Sequence, residues 1–504
     1  MRKTVGRRAF LRRIGTGVAA AAIPWRASRA AGTGGKPNVI LCMCDDLGWG
    51  DVGFNGGKVV RTPHLDALRR EGIRFARWYS AAPVCSPTRG SCLTGRHPYR
   101  YGITFANVGH MKKQEATLAE AVKTQGYATG HFGKWHLGTL TTKVKDANRG
   151  RPGTTTHYAR PSEHGFDVYF STESKVPTWD PMLVPASFGP GQSRHYGWVP
   201  VEDKSQARAY GTAYWDGEEH RVTEGLDGDD SRVIMDRAIP FLRRAVQAGT
   251  PFLAVIWFHT PHLPVVAGRT YRDLYKDRPL KEQLYYGCIT AMDEQVGRLV
   301  GELRKLGVFE NTMLWFGSDN GPENGTPGSP GPFRGRKRSL YEGGVRVPGL
   351  LTWPARIKPG RTVEAPCCTS DYFPTVLDAL GFRMKGRPEP VDGVSLLPVI
   401  EGKTAERPRP IGFQSSDQAT LSDNRWKLYT KGLARSAKKR KGKKAGGKPP
   451  AVELYDLLAD PGEKTDLAAK HPEVAERMQA ELLRWIASCA RSATGADYGD
   501  RLQE

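Results

Sequence analysis

The chain has 504 residues, 39% of them hydrophobic and 25% charged, and a formal net charge of +23. That length predicts a large buried core and two domains. Eight Lys/Arg lie in residues 1–30 and eight more between Arg435 and Lys448, with no acid in either stretch; removing both sets leaves a body of about +7, which suits anionic ligands but is no fingerprint of nucleic-acid binding. Eight cysteines in a chain of this length do not make a disulfide framework, none has zinc-ligand spacing with a nearby His, and the expectation is of free, buried thiols.

Residues 1–30 read as an export signal. Arg2, Lys3, Arg7, Arg8, Arg12 and Arg13 come first. A short apolar run, Ile14 to Ile23, follows, and then Ser28-Arg29-Ala30 as a cleavage site. Arg7-Arg8-Ala9-Phe10-Leu11-Arg12 resembles a twin-arginine signal, so the expected location is periplasmic or extracellular. No later run is long and apolar enough to span a bilayer.

The run Asn38-Val39-Ile40-Leu41-Cys42-Met43-Cys44 predicts a strand buried on both faces, with Cys42 and Cys44 on the same one. Thr62 as cap and Pro63 at the first position predict a helix to about Glu71, ended by Gly72. A strand around Ile73–Tyr79 then leads to Cys85. Thr117–Gln125 reads as a helix ending at Gly126, followed by a short strand before Gly133-Lys134-Trp135-His136-Leu137-Gly138. Residues 140–230 have weak periodicity and read as a long insertion with little regular structure. Ser231 is expected to cap a helix to about Val246, bent at Pro240. Pro251–Phe258 and Thr312–Gly317 predict strands, and the three-four spacing of apolar residues over 281–306 predicts a long amphipathic helix ended by Gly307.

Strands alternating with helices imply an α/β fold with a largely parallel sheet, and ligands in such folds gather beyond the C-terminal strand ends. Asp45-Asp46, His262 and Asp319-Asn320 all fall at such ends, so one edge can collect them. From about Arg407 the character changes. Strands at Trp426–Tyr429 and Glu453–Leu457 and a helix from Glu473 to about Ala487 predict a small α+β domain over 407–504, after a catalytic domain over 36–400. The tract 434–450 reads as a solvated, disordered loop, with polyanion binding as the second reading.

Cys85 stands in Pro83-Val84-Cys85-Ser86-Pro87-Thr88-Arg89-Gly90, just ahead of an expected helix. A helix N-terminus favours anions, and Arg89 adds a fixed positive charge. The bland alternative is a buried thiol acting as a small hydrophobe. Asp45, Asp46, Asp319 and Asn320 offer only oxygen ligands, which suit Ca²⁺ or Mg²⁺ rather than zinc; strand-end carboxylates also cap turns. Lys134, His136, His262 and Lys337 each have an ordinary surface or loop reading when taken alone.

Together these segments resemble the formylglycine-dependent sulfatases. The resemblance rests, in order, on Asp45-Asp46-Leu47-Gly48-Trp49-Gly50-Asp51, the Cys85–Arg89 signature (with Thr88 where many members have Ser or Ala), Gly133–Gly138, Pro261-His262-Leu263-Pro264, Asp319-Asn320-Gly321-Pro322-Glu323, Lys337 through Gly344, and Glu453-Leu454-Tyr455-Asp456 with Asp460-Pro461. It implies an alkaline-phosphatase-like α/β core with a small C-terminal sheet domain. It implies that Cys85 is oxidised to formylglycine by a formylglycine-generating enzyme. Asp45, Asp46, Asp319 and Asn320 would bind Ca²⁺ (Mg²⁺ less favoured), with the modified Cys85 also in contact. Arg89 would hold the formylglycine hydrate, Lys134 and Lys337 the sulfate oxygens. His136 would act as base in regenerating the aldehyde, and His262 would contact the bridging oxygen, with His259 as a competing choice. Arg336 and Arg338 flank Lys337 and leave the lysine register open. The expected substrate is a sulfated carbohydrate, since Trp179, Tyr196, Trp198, Tyr210, Tyr214 and Trp215 could stack on sugar rings; local packing explains them equally well. The rival readings are a phosphomonoester or phosphodiester hydrolase on the same fold and, ranked below it, a non-catalytic polyanion-binding protein.

Overall fold

A computed structural model of the chain describes residues 35–187, 198–432 and 451–499. The signal-like residues 1–30, Tyr196 and the basic tract 434–450 lie outside the described residues.

A ten-stranded sheet organises the structure. In chain order its strands are β1 (Asn38–Cys44), β2 (Ile73–Phe75), β3 (Ala128–Lys134), β4 (Val168–Thr172), β5 (Tyr214–Asp216), β6 (His220–Arg221), β7 (Phe252–Trp257), β8 (Thr312–Ser318), β9 (Gly349–Thr352) and β10 (Thr362–Val363). The spatial order is β10-β2-β9-β8-β1-β7-β3-β4-β5-β6. Five neighbours, β8, β1, β7, β3 and β4, are mutually parallel. β9 joins β8, β2 joins β9 and β5 joins β4 antiparallel. The expected largely parallel α/β sheet is therefore present, with mixed edges.

Side-chain alternation along β1 explains the three layers. Val39, Leu41 and Met43 face one apolar cluster, where α2 (Cys85–Thr94), α3 (Leu118–Lys123) and α6 (Tyr372–Ala379) pack. Ile40, Cys42 and Cys44 face the other, covered by α1 (Pro63–Glu71), α4 (Asp230–Gln247) and α5 (Leu280–Lys305). Both faces are buried, so β1 reads as a continuous apolar run. All eight cysteines are free and buried. Among the described residues no helix is long and apolar enough to cross a membrane.

Several local expectations change. Residues 140–230 are not merely an irregular insertion, because β4, β5 and β6 extend the main sheet. Their signal is weak since β4 is short and mostly buried; its antiparallel pairing with β5 is accompanied by Phe170 stacking on Tyr214, with ring centroids 4.1 Å apart. Tyr214 and Trp215 are core residues, not a sugar platform: the Tyr214 hydroxyl donates to Asp230 at 2.6 Å and Trp215 Nε1 to Asp146 at 3.0 Å. The cap of α4 is Asp229, whose carboxylate accepts from the Arg232 N–H at 2.9 Å; Ser231 lies inside the helix. Thr62 holds the N-cap position of α1 as expected, and its carbonyl accepts from the Asp66 N–H at 3.0 Å, but its hydroxyl makes no cap bond and accepts from the Gly53 N–H at 2.9 Å. The strand expected over Ile73–Tyr79 divides. Ile73–Phe75 joins the main sheet, while Trp78–Tyr79 pairs with Arg346–Val347 and Cys367–Cys368 in a separate three-stranded sheet.

The C-terminal region forms a four-stranded antiparallel sheet of β11 (Ile411–Ser415), β12 (Gln418–Ser422), β13 (Trp426–Lys431) and β14 (Val452–Asp456), backed by α7 (Pro472–Ser492). The described residues from Lys36 onward pack as one compact unit. Buried charge ties this sheet to the rest. Lys427 of β13 is fully buried, 2.9 Å from Glu342 and 2.8 Å from Glu463. Glu342 also accepts from the Tyr79 hydroxyl at 2.8 Å, and Glu463 accepts from the Glu342 N–H at 2.7 Å. Arg407 makes a second tie, a two-pronged pair with Asp371 at 2.6 and 2.9 Å. Removing one member of a buried ion set strands the others. Lys427→Ala is therefore expected to cost about 3–5 kcal/mol in denaturant unfolding. A loss under about 1 kcal/mol, the range of an exposed pair, would show that the triad is solvated.

Candidate active site

The parallel strands are level at one edge: Cys44 pairs with Ser318, Met43 and Gly133 with Trp257, and Lys134 with Thr172. The residues immediately beyond those ends therefore converge. Asp45 and Asp46 follow β1, Asp319 and Asn320 follow β8, Lys134 closes β3, and His262 lies five residues beyond β7. Gly133 makes the β3 end possible. Its φ is +101°, and an added Cβ would sit 2.0 Å from the Trp257 carbonyl oxygen.

Cys85 is the first residue of α2, buried at the helix N-terminus. Its sulfur and oxygens of Asp45 and Asp319 lie within 4.8 Å of one another, as do oxygens of Asp45 and Asp46 and a nitrogen of His262. Arg89, one turn on, donates to Asp319 through Nε at 3.1 Å and through a terminal nitrogen at 2.6 Å, and to the Lys134 carbonyl at 2.9 Å. Lys134 donates to Asp45. Lys337 meets both oxygens of Asp46, at 2.6 and 2.8 Å. Asn320 donates to Asp46 at 2.6 Å. The eight predicted site residues other than His136 and His262 thus form one contiguous cluster, and the two histidines border it.

The electrostatics follow from burial. Asp319 is pushed up to about 7 by burial and by the neighbouring Asp45. Asp46 is also raised by burial, against the pull of Lys337. Burial pushes Asp45 the same way but loses: Lys134 and Arg89 hold it ionised, well below the usual carboxylate range. We assign that effect to these two cations rather than to His262, because burial and the surrounding lysines keep His262 neutral, well below an ordinary imidazole. Burial opposes the charge on Arg89, yet Asp319 and Asp45 outweigh it. Burial also raises the Cys85 thiol, only partly offset by Lys134 and Lys337, so the thiolate is disfavoured.

Two oxygens of this cluster, Asp45 Oδ1 and Asn320 Oδ1, are buried with no hydrogen-bond partner. Leaving a buried acceptor unpaired is costly. A set dominated by carboxylate and amide oxygens fits a hard divalent cation. These residues could hold one.

The open choices resolve. Both ring nitrogens of His259 are used inside the fold, by Asp230 at 2.8 Å and by the Thr172 hydroxyl at 2.8 Å. His262 instead donates through Nδ1 to the Leu263 carbonyl at 2.7 Å and turns Nε2 toward Asp46, 3.7 Å away. Arg336 is spent on the carbonyls of Glu323, Thr326 and Gly328, and Arg338 on the Glu323 carboxylate. Of the three neighbours, Lys337 is the one that reaches the strand-end acids. The strand ends at Lys134, and His136 turns with φ of 56°.

The structure adds residues that no motif marked. Lys175 lies three positions beyond β4, half-buried, and makes no hydrogen bond or ion pair among the described residues; burial and the nearby Lys134 and Lys337 depress its pKa. Asn107, Asn148 and Ser174 form a hydrogen-bonded group behind His136. They belong to loops without periodicity, so only their position in space identifies them.

Comparison with known proteins gives the same answer from sequence and shape. The sulfatase family model matches residues 37–382. Steryl-sulfatase of Rattus norvegicus is 34% identical over 426 residues, spanning 74% of this chain and 72% of that protein. N-acetylgalactosamine-6-sulfatase of Canis lupus familiaris is 32% identical over 398 residues, spanning 75% of this chain and 69% of that protein. The solved structure of Ps i-CgsB in complex with k-i-k-neocarrahexaose superimposes with a TM-score of 0.71 at 26% identity, covering 90% of this chain and 93% of that one. With this edge of the sheet, these matches show that the chain belongs to the sulfatase family of the alkaline-phosphatase superfamily and is a sulfuric ester hydrolase.

Proposed function

We propose that the protein removes sulfate from a sulfated carbohydrate outside the cytoplasm, with Cys85 matured to formylglycine and Ca²⁺ held by Asp45, Asp46, Asp319 and Asn320. The observation that carries this is the meeting of Cys85, the unpaired oxygens Asp45 Oδ1 and Asn320 Oδ1, and the Lys134 and Lys337 ammoniums at one strand edge. A thiol that burial keeps protonated is a poor nucleophile. It also suits an oxygen cage badly. Formylglycine would supply a hydrated aldehyde, an oxygen nucleophile for sulfur, and Ca²⁺ would stabilise negative charge on that oxygen.

The chain's own residues then divide the work. Arg89, anchored by Asp319 and the Lys134 carbonyl, keeps a fixed charge one turn from residue 85. Lys134 and Lys337 bind the sulfate oxygens and offset the charge that develops there. His136 would serve as the base that takes a proton from the group at residue 85. His262 faces the bridging oxygen through Nε2. An incoming sulfate ester adds negative charge beside it and favours the imidazolium, so His262 gains the proton that it gives to the leaving alcohol. The carbohydrate assignment is supported by the saccharide named with the i-CgsB structure, by the N-acetylgalactosamine-6-sulfatase relative and by Lys175, a cation with no ion-pair partner among the described residues that is available for a further anionic group. The basic, then apolar, N-terminal residues support twin-arginine export after folding and maturation by a formylglycine-generating enzyme.

Three outcomes are expected. Peptide mass spectrometry across residues 77–96 of active enzyme, taken from the exported fraction of the host, should show residue 85 as the aldehyde; an unmodified thiol in fully active protein, or residence in the cytoplasm, defeats the corresponding part of the reading. In chelator-stripped protein, Ca²⁺ at 100 times its dissociation constant should add about 2.7 kcal/mol to stability. Asn320→Ala should sharply reduce that gain, and equal gains in the two proteins would place the cation elsewhere. Lys175→Met should raise KM about tenfold for a sulfated saccharide bearing a second anionic group, the equivalent of roughly 1.5 kcal/mol for a charge-assisted contact. It should leave a singly charged aryl sulfate unaffected; equal losses on both would put Lys175 at the scissile sulfate. Faster wild-type turnover of steroid sulfates or of matched phosphate esters than of sulfated saccharides would overturn the substrate class.

A further inference from the structure

His136 carries an unusual pair of features. It is 3% exposed, yet its Nδ1 is buried without a hydrogen-bond partner. Its Nε2 lies 3.0 Å from Asn107 Oδ1. A neutral imidazole has one N–H and one lone pair, and a partner at one nitrogen decides which is where. Burial, with Lys134, Arg89 and Arg149 nearby and only Asp45 opposing, keeps His136 neutral.

We infer that Asn107 is a positioning residue: its amide oxygen holds the proton of His136 on Nε2 and leaves the Nδ1 lone pair as the proton acceptor of the site. This rests on the proposed role of His136 as base. The amide orientation is held from outside. Asn148 Nδ2 donates to Asn107 Oδ1 at 3.3 Å and to Ser174 Oγ at 3.2 Å. Rotating the Asn107 amide by itself would set amino group against amino group. The next residue of that segment is also braced, since Arg149 is held by Glu173 at 2.9 Å and donates to the Gly109 carbonyl. Asn107 and His136 both have left-handed backbones, φ 62° and 56°. Asn is among the few side chains that tolerate this conformation. The strain is small for Asn107, and its short side chain reaches the imidazole.

Asn107→Gly removes the amide while suiting the backbone, and Asn107→Asp keeps an acceptor in place. ¹⁵N NMR of histidine-labelled full-length protein, with His136 assigned by difference against His136→Gln, reads the tautomer independently of activity and of the state of residue 85. The expected result is an Nε2–H tautomer in the wild type, mixed tautomers in Asn107→Gly, and Nε2–H again in Asn107→Asp. Steady-state kcat should fall roughly 10–100-fold in Asn107→Gly with KM little changed, and recover substantially in Asn107→Asp. An Nδ1–H tautomer in the wild type, or a tautomer unmoved by Asn107→Gly, overturns the inference. If His136→Gln is itself fully active, the base assignment falls, while the tautomer still reports on Asn107.

Discussion

Everything at this site depends on balancing buried charge. Asp45, Asp46 and Asp319 stand at adjacent strand ends with essentially no exposure. Three carboxylates so placed repel one another and are poorly solvated. Arg89, Lys134 and Lys337 supply the opposing charge, each arriving from a different element: the first helix turn after Cys85, the last residue of β3, and the loop after β8. A hard cation facing Asp45 Oδ1 and Asn320 Oδ1 would add to the same balance. The cluster is a reason for these segments to fold together, and it concentrates fixed positive charge at one strand edge.

The loop that brings Lys337 is supported from the far side of the molecule. Glu342, five residues on, is the partner of Lys427 in the C-terminal sheet. Burial pushes Glu342 toward its neutral form, but Lys427 and Arg346 hold it below the usual carboxylate range. Glu463 is pushed up to about 7 by burial despite the same lysine. The small sheet thus contributes to the active edge without touching its reacting atoms. It clamps the backbone that carries Lys337, the lysine paired with Asp46, and a buried ion set is a demanding clamp because no partner can leave cheaply.

Much of this was legible in the residues alone. The alternation of strand and helix gave a parallel α/β sheet, and the strand-end acids gave an oxygen cage at its C-terminal edge. Chain order and spacing marked Cys85 through Arg89 as one functional unit. The ambiguous points were those where neighbouring residues share a chemistry: His259 against His262, and Lys337 against Arg336 and Arg338. Hydrogen-bond saturation separated them. His259 has both nitrogens occupied within the fold, and the two arginines are consumed by carbonyls and by Glu323.

Residue type and order by themselves determined the layered sheet and which acids stand at its strand ends, because periodicity and residue chemistry are local properties. Tertiary structure alone decided the rest. It turned part of the 140–230 region into sheet strands and assigned Tyr214 and Trp215 to the core. It placed Lys175 near the acids and set Asn107 against His136. Those relations join residues from loops whose spacing carries no period, and only the folding of distant strand ends onto one edge brings them within reach.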